Sequence, residues 1–326
     1  MSAFMLIDCG TTNLRVVLTD EDGKVLAQEK RPGGVRHTAI DGHNGRLKAM
    51  LSESIAQALE KAGLTPKNVR RCVAYGMITS NMGLLEIAHL PAPAGVSELH
   101  EGMKTAVFQD VAPFPISFIP GVRNTRDAVT LANVSGMDMM RGEETEAVGL
   151  FDLLRLQQPC VMILPGSHNK FVRLDAKGTI LGCMTSISGE MLDALTHHTI
   201  LADAVGGAFA SAETYDEELA RRGAMECAEY GLGRAAFAGR ILNQLGGIDG
   251  VRLRSYLLGA VLAQDVLALR RFVPDIPDVQ ILIAGKPPLQ RAFSDVMLAL
   301  GLPNAIQVAP DVSARMGICG ALRIAQ

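Results

Sequence analysis

CVMILPGSHNKFVRLDAKGTILGCMT, residues 160–185, contains an apolar run, a Gly-Ser-His-Asn-Lys turn, a second β-forming run, another glycine turn and a third run. The same order opens the chain, in LIDCGTTNLRVVLTDEDGKV at residues 6–25, where Asp22-Gly23 is a tight-hairpin signal. Gly166 follows Gly10 by 156 residues (166 − 10), and Gly178 follows Gly23 by 155 (178 − 23), so the two units keep nearly the same internal spacing. A three-strand antiparallel meander repeated at half-chain separation predicts duplicated domains facing each other. Each contributes one hairpin turn, and two such turns around one cleft could grip a triphosphate from both sides.

The first turn is chemically specific. Gly10 lets the backbone approach a ligand closely, Thr11, Thr12 and Asn13 supply hydroxyl, amide and backbone donors, and Asp8 ends a strand where it could orient a metal-bound water. A short polar hairpin turn with no ligand accounts for the same residues equally well. The second turn offers Gly166, Ser167 and His168, and Lys170 either adds a positive charge there or points to solvent from its strand.

Composition narrows the classes. With 326 residues, 48% of them hydrophobic and 20% charged, the chain can bury a large core, and its length predicts two domains. The formal net charge is −3, with 31 basic against 34 acidic residues and no basic run, and aromatics are only 4%; neither an electrostatic footprint nor stacking platforms for nucleic acid are present. Six cysteines, at 9, 72, 160, 183, 227 and 319, never approach C-x-x-C spacing and read as small core residues of a reducing compartment. The N-terminus lacks a basic region followed by an apolar stretch, and no run reaches the roughly 18 to 20 apolar residues of a membrane span, so a cytoplasmic protein without a membrane partner is expected.

Between the two meanders, GRLKAMLSESIAQALEKAG places Leu47, Met50, Leu51, Ile55, Ala58, Leu59 and Ala62 on one helical face, with Gly63 as C-cap. VRRCVAYGM is predicted as a strand entering a glycine turn, ISFIPG as another strand and LPAPAG as a loop. Beyond residue 185, Ser188 is a candidate N-cap for SGEMLDALTHHTIL, and LRSYLLGAVLAQDVLALRRF is a long helix with an apolar majority. DVQILIAGKPPLQRAFSDVML reads as a strand (Val279 to Ala284), a Gly285-Lys286 turn and a helix, an order that places nucleotides at a sheet's carboxyl edge. SARMGICGALRIA is a terminal helix whose Gly317 and Gly320 mark a close approach. The expected domains are residues 1–136 and 137–326.

In order, DCGTT (8–12), RGEETEAVGL (141–150), LPGSHNKF (164–171), IAGKPPL (283–289) and ARMGICGAL (314–322) resemble the sugar kinase branch of the actin/hexokinase/heat-shock ATPase superfamily. The resemblance implies an α/β architecture of two duplicated RNase H-like (actin-like ATPase) domains with mixed sheets, and ATP with Mg2+ in an interdomain cleft. More closely, GMITSNMGLLE (76–86), PAPAG (91–95), MMRGEETEAVGL (139–150) and GSHNKF (166–171) together resemble the 2-keto-3-deoxygalactonate kinase family. That likeness implies transfer of the ATP γ-phosphoryl group to the 6-hydroxyl of a six-carbon 2-keto-3-deoxy sugar acid in galactonate breakdown. The family pattern carries Trp where this chain has Phe171 and Leu84, and Thr where it has Ser167. The segment around Leu84 is expected to line the sugar pocket.

Site roles follow from that likeness. Asp8 is expected to organise hydrated Mg2+ through water, and Gly10, Thr11, Thr12, Asn13, Gly166, Ser167, His168, Lys170 and Gly285 to bind ATP. Gly142-Glu143 matches the Gly-Asp pair that opens a helix in related sugar kinases, so Glu143 is the expected general base. Alternatively, Glu143, Glu144 and Glu146 are simply acidic residues favourable in a first helical turn. The sugar carboxylate calls for an arginine, and Arg15, Arg141, Arg123 and Arg126 remain open. Gly76, Met77, Ser80 and Asn81 are expected at the sugar, with helix capping as the alternative for Ser80 and Asn81. His197 and His198 diverge on a helix and make a poor metal pair, and Met137, Met139 and Met140 read as core or hinge packing. The expected partners are a small-molecule sugar acid and, as an open option, a second copy of the chain in a homodimer. Competing readings are a kinase of another sugar acid or amino sugar, and a non-catalytic nucleotide switch of the same fold.

Overall fold

The apolar run Ala3–Cys9 forms β1, buried along nearly its whole length. It pairs antiparallel with β2 (Asn13–Thr19), which pairs antiparallel with β3 (Val25–Pro32), so the predicted meander is present. The computed structural model describes residues 2–275, 279–302 and 305–326. They divide into two compact units: Met1–Gln157 with Gly178–Gly182 and Ala314–Gln326, and Gln158–Lys177 with Cys183–Ser313.

In the first unit, α1 (Arg36–Asp41) and α2 (Gly45–Ala62) follow the meander, then β4 (Val69–Gly76), β5 (Leu90–Pro91), α3 (Val96–Gly102), β6 (Lys104–Ala106), β7 (Ile116–Phe118), β8 (Val122–Arg123), β9 (Met139–Met140) and α4 (Glu143–Leu153). The main sheet runs β3-β2-β1-β4-β7-β6, with β4 parallel to β1 and β7 parallel to β4. A small sheet, β5-β8-β9, lies within the same unit. Helix α2 buries Leu47, Leu51, Ile55, Ala58 and Leu59 on one face, as its 3.6-residue period requires, and stops at Gly63 with φ +64°. Each of those leucine and isoleucine side chains contributes about 1.5–3 kcal/mol by leaving water.

The second unit holds β10 (Cys160–Leu164), β11 (Asn169–Leu174), most of β12 (Ile180–Ser186), α5 (Ser188–His197), α6 (Ala202–Val205), α7 (Glu217–Tyr230), α8 (Leu232–Gln244), α9 (Gly250–Phe272), β13 (Gln280–Ile283), α10 (Leu289–Ala299) and β14 (Ile306–Gln307). Helix α11 (Pro310–Ala325) closes the chain, and from Ala314 onward belongs to the first unit. The sheet order β12-β11-β10-β13-β14 repeats β3-β2-β1-β4-β7, with the third and fourth strands again parallel. Helix α9 is apolar around most of its circumference because α7 covers one side. The backbones nearly touch: a Cβ on Gly259 would lie 1.9 Å from Ala220 O, and one on Gly223 2.0 Å from Tyr256 O.

Several expectations change. Ser188 is the first residue of α5, not its cap, and its hydroxyl is used elsewhere. No helix follows Ser80 and Asn81, so neither caps one. Met140 is buried as expected, but Met139 is 61% exposed. Leu84 is buried in the first unit's core, and Phe171 stacks edge-on with Phe293 in the core of the second, centroids 6.0 Å apart. The packing division also differs from the boundary at residue 136. Residues 137–157 lie with the first unit because α4 packs on α11: a Cβ on Gly149 would fall 1.8 Å from Met316 O, and one on Gly320 1.8 Å from Thr145 O. All six cysteines are free, and five are buried. Among the described residues, no helix is long and apolar enough to cross a membrane.

Candidate active site

In the first unit, three segments distant in sequence meet at the carboxyl ends of the parallel pair β1 and β4. Cys9 lies opposite Gly76 in the register, and Gly76, at φ +85°, brings its backbone so close that a Cβ would sit 2.8 Å from Cys9 O. Gly142, at φ +113°, lies against Gly76 in turn, a Cβ there reaching 3.3 Å from Gly76 Cα. No side chain other than glycine's hydrogen fits at Gly76 without displacing backbone. Asp8, the Gly10 turn and the start of α4 are thereby gathered at one edge of the sheet.

The turn after β1 is closed by Gly10 N–H donating to Asn13 O at 2.9 Å, with Thr11, Thr12 and Asn13 exposed. Its carbonyls are occupied from behind: Val35 N–H donates to Gly10 O and Arg36 N–H to Thr11 O, at 3.2 and 3.0 Å. Gly34 permits that approach, since a Cβ would fall 2.1 Å from Gly10 O. A cleft of about 480 Å³ opens beside Asp8, Asn13, Arg15, Lys30 and Arg31. Arg15 faces Asp8 across the β1–β2 register, and its Nε is buried without a hydrogen-bond partner among the described residues.

The acidic residues here are not equivalent. Burial raises the Asp8 carboxyl, Arg15 opposes that, and the negative charge of Glu143 adds to it. Glu143 opens α4, and its Oε2 accepts the Arg141 N–H at 3.1 Å. Glu144 is fully buried and accepts the Gly142 N–H at 2.8 and 2.9 Å; burial first, then Glu143, pushes it up to about 8. Burial and then Asp8 hold Glu146 well above the ordinary carboxylate range. Burial likewise raises Tyr75, whose hydroxyl lies against Gly317 of α11. Glu144 is therefore not a solvated first-turn acid, while Glu143 and Glu146 are each half-buried.

Arg141 is already engaged: it donates to Thr79 Oγ1 at 2.8 Å and Ile87 O at 2.6 Å. It ties the segment after Gly76 to the entrance of α4. Ser80 closes its own turn, donating to Met77 O at 2.7 Å, while Asn81 is exposed. Arg123 donates to Arg126 O at 3.2 Å and lines a separate cleft of about 420 Å³ with His89 and Asn124.

The second unit repeats the construction. Gly166 N–H donates to Asn169 Oδ1 at 3.0 Å, closing the turn after β10. Ser167 and His168 are exposed, and His168 Nε2 lies 2.8 Å from Glu190 Oε1. Gly189 plays the part of Gly34, a Cβ there reaching 2.4 Å from Gly166 O, and Glu190 N–H donates to Ser167 O at 3.2 Å. Gly285, at φ +104°, abuts Pro165 from the parallel strand as Gly76 abuts Cys9. Lys170 does not point to solvent: it is 5% exposed and its ammonium donates to Thr185 Oγ1. Beside the turn lies a cavity of about 520 Å³ whose walls include Phe209, Leu258, Val261, Leu262 and Leu289, with Gly166 and Ser167 at its polar end. An apolar cavity opening onto a donor-rich turn suits a nucleoside carrying phosphates.

The sequence reading missed Gly34, Gly189, the burial of Glu144, and Asp265, a carboxylate 1% exposed in α9. Only Asp265 left a signal, as the lone acid in a long helix with an apolar majority. Among the described residues, no group of three or more His, Cys, Asp or Glu side chains could hold a metal ion.

The chain matches the family described as 2-keto-3-deoxy-galactonokinase over residues 8–321. It is 26% identical over 332 residues to a Rhizobium meliloti (strain 1021) protein named "Probable 2-dehydro-3-deoxygalactonokinase DgoK1", covering 98% of this chain and 96% of that protein. The crystal structure of a 2-dehydro-3-deoxygalactonokinase candidate from Sinorhizobium meliloti superposes with a TM-score of 0.71 at 24% identity, covering 98% of each chain. An activator of 2-hydroxyisocaproyl-CoA dehydratase from Clostridium difficile, solved with ADPNP, shares the fold with a TM-score of 0.51 at 14% identity, over 99% of this chain and 94% of that one. The architecture is thus the mixed-sheet α/β fold of actin-like ATPases and sugar kinases.

Proposed function

The chain belongs to the 2-keto-3-deoxy-galactonokinase family, and from that membership we propose how its residues divide the reaction. The enzyme is an ATP-using kinase that phosphorylates 2-keto-3-deoxygalactonate. In our reading the acceptor is the 6-hydroxyl and the reaction serves galactonate breakdown. Glu143 takes the proton as the hydroxyl oxygen attacks the γ-phosphorus, and ADP leaves from the opposite side. The observation that carries this reading is the meeting of Asp8, Gly76 and Gly142-Glu143 at one sheet edge, with Glu144 fully buried.

Asp8 would hold Mg2+ through water. Its carboxyl is raised by burial and by Glu143, so a divalent cation would relieve the local excess of negative charge, and a hydrated Mg2+ needs only one or two carboxylates. When bound, the ion neutralises charge on the transferring phosphate oxygens. Gly10, Thr11, Thr12 and Asn13, with Gly166, Ser167 and His168, receive phosphates; Lys170 adds positive charge behind the second turn, and Gly285 leaves room beside it. Arg15, whose Nε lacks a hydrogen-bond partner among the described residues, takes the sugar carboxylate. Gly76, Met77, Ser80 and Asn81 face the sugar, held in place by Arg141. A cytoplasmic location, a homodimeric state and a duplication between residues 1–136 and 137–326 complete the proposal.

The test is ADP release from Mg-ATP with and without 2-keto-3-deoxygalactonate, for the native enzyme and for Glu143→Gln. Acceptor-dependent turnover that collapses in the variant supports the assignment of the base. Turnover retained in the variant removes it.

A further inference from the structure

Asp265 is buried in α9, and a carboxylate in such a place costs several kcal/mol unless its oxygens are occupied. Both are. Asn169 Nδ2 donates to Asp265 Oδ2 at 2.7 Å, and Ser188 Oγ donates to Asp265 Oδ1 at 2.6 Å. These two donors belong to the two segments that form the second phosphate turn and its backing. Asn169 ends the turn, and its other amide atom, Oδ1, accepts the Gly166 N–H. Ser188 begins α5, one residue before Gly189, which lies against Gly166 O.

An asparagine amide has two orientations, and the carboxylate selects between them. With Nδ2 committed to Asp265, Oδ1 must face Gly166; the flipped amide would set a donor against the Gly166 N–H and an acceptor against a carboxylate. The same carboxylate holds the start of α5 against the back of the turn. An apolar residue would fill the space in α9 without the desolvation cost, so packing alone does not explain the acid.

We propose that Asp265 is a positioning residue for ATP: by fixing the Asn169 amide and Ser188, it shapes residues 166–169 for the nucleotide's phosphates without touching them. This rests on the reading that the second turn receives phosphates. The experiment compares ATP, ADP and adenosine binding by titration calorimetry, and KM for each substrate, in the native enzyme and Asp265→Asn. An amide has one acceptor where the carboxylate has two, so the Ser188 contact survives only by reversing its direction, and both charge-assisted bonds lose their charge. The expected result is ATP and ADP binding weakened about 10-fold, on the scale of one charge-assisted hydrogen bond, with adenosine binding and the sugar KM within about twofold of native. Equal losses for ATP and adenosine, or a lowered melting temperature with both affinities intact, overturn the proposal. If Asp265→Asn does not fold, Asn169→Ser cuts the same chain of bonds one link on and is judged by the same criterion. Ser167→Asp tests the underlying reading separately, since a negative charge in a phosphate turn must weaken ATP. If Ser167→Asp has no effect, the phosphate reading fails; if it weakens ATP while folded Asp265→Asn does not, only the positioning role fails.

Discussion

Glu144→Gln should make the enzyme's stability less dependent on pH. In the folded chain Glu144 is held at about 8, against 4.5 for an ordinary glutamate, chiefly by burial. The folded value lies above the unfolded one, so the stabilisation is fully present below about pH 4.5 and is lost as pH rises through about 8. A difference of about 3.5 at about 1.36 kcal/mol per pH unit corresponds to an upper figure near 5 kcal/mol by pH 9 to 10. That is comparable with the whole net stability of an ordinary domain, about 5–15 kcal/mol. Glutamine can still accept the Gly142 N–H but cannot ionise. Urea midpoints measured from pH 5 to pH 9.5 should therefore show a native enzyme that weakens steadily from about pH 5 to about 8 and levels off above it, and a variant that weakens less. The gap between the two should widen in the variant's favour by at least about 2 kcal/mol across that range. A gap that stays constant with pH would mean that Glu144 titrates as an exposed glutamate does, and the account of the acidic cluster would fail with it.

Other outcomes follow from the same geometry. Glu143→Gln should lower kcat by about 10²- to 10⁴-fold with little change in the KM for ATP, by steady-state ADP release; a variant keeping a tenth of native kcat excludes the base role. Asp8→Asn should raise the Mg2+ concentration for half-maximal rate about 10-fold, read from rate against free Mg2+, and an unmoved curve counts against water-mediated binding. Gly320→Ala would place a methyl group 1.8 Å from Thr145 O, so α11 must shift; calorimetry should show a loss of about 1–3 kcal/mol, and an unchanged melting temperature contradicts the packing.

The duplicated hairpin is legible because strand alternation and glycine turns are local signals, and the sheet orders bear the repeat out. Helix α2 is legible for the same reason: its apolar face and terminal glycine lie within one window of sequence. Burial of acids is not local. Glu143, Glu144 and Glu146 look alike in RGEETEAVGL, and only the folded chain leaves Glu144 fully buried while Glu143 and Glu146 stay half-buried. Gly34 and Gly189 escape because a glycine in a connection has many uses, and the carbonyl each lies against belongs to a turn more than twenty positions earlier. Leu84 is buried in the first unit's core, a placement not legible in sequence because an aliphatic side chain beside a turn carries no mark of which way it faces.

The packing of α4 on α11 sets an order in time. Residues 314–326 emerge long after Asp8 and Glu143, yet they complete the unit that contains both. Gly149 and Gly320 admit no substitute surface between the two helices, and Tyr75 beneath them meets Gly317. A ribosome-bound chain can pair its first meander early, since domains fold as their parts emerge. It cannot seat the helix that carries Glu143 until α11 has also emerged, so activity should appear only after α11 has left the ribosome, and a deletion of α11 should silence Asp8 and Glu143 far upstream.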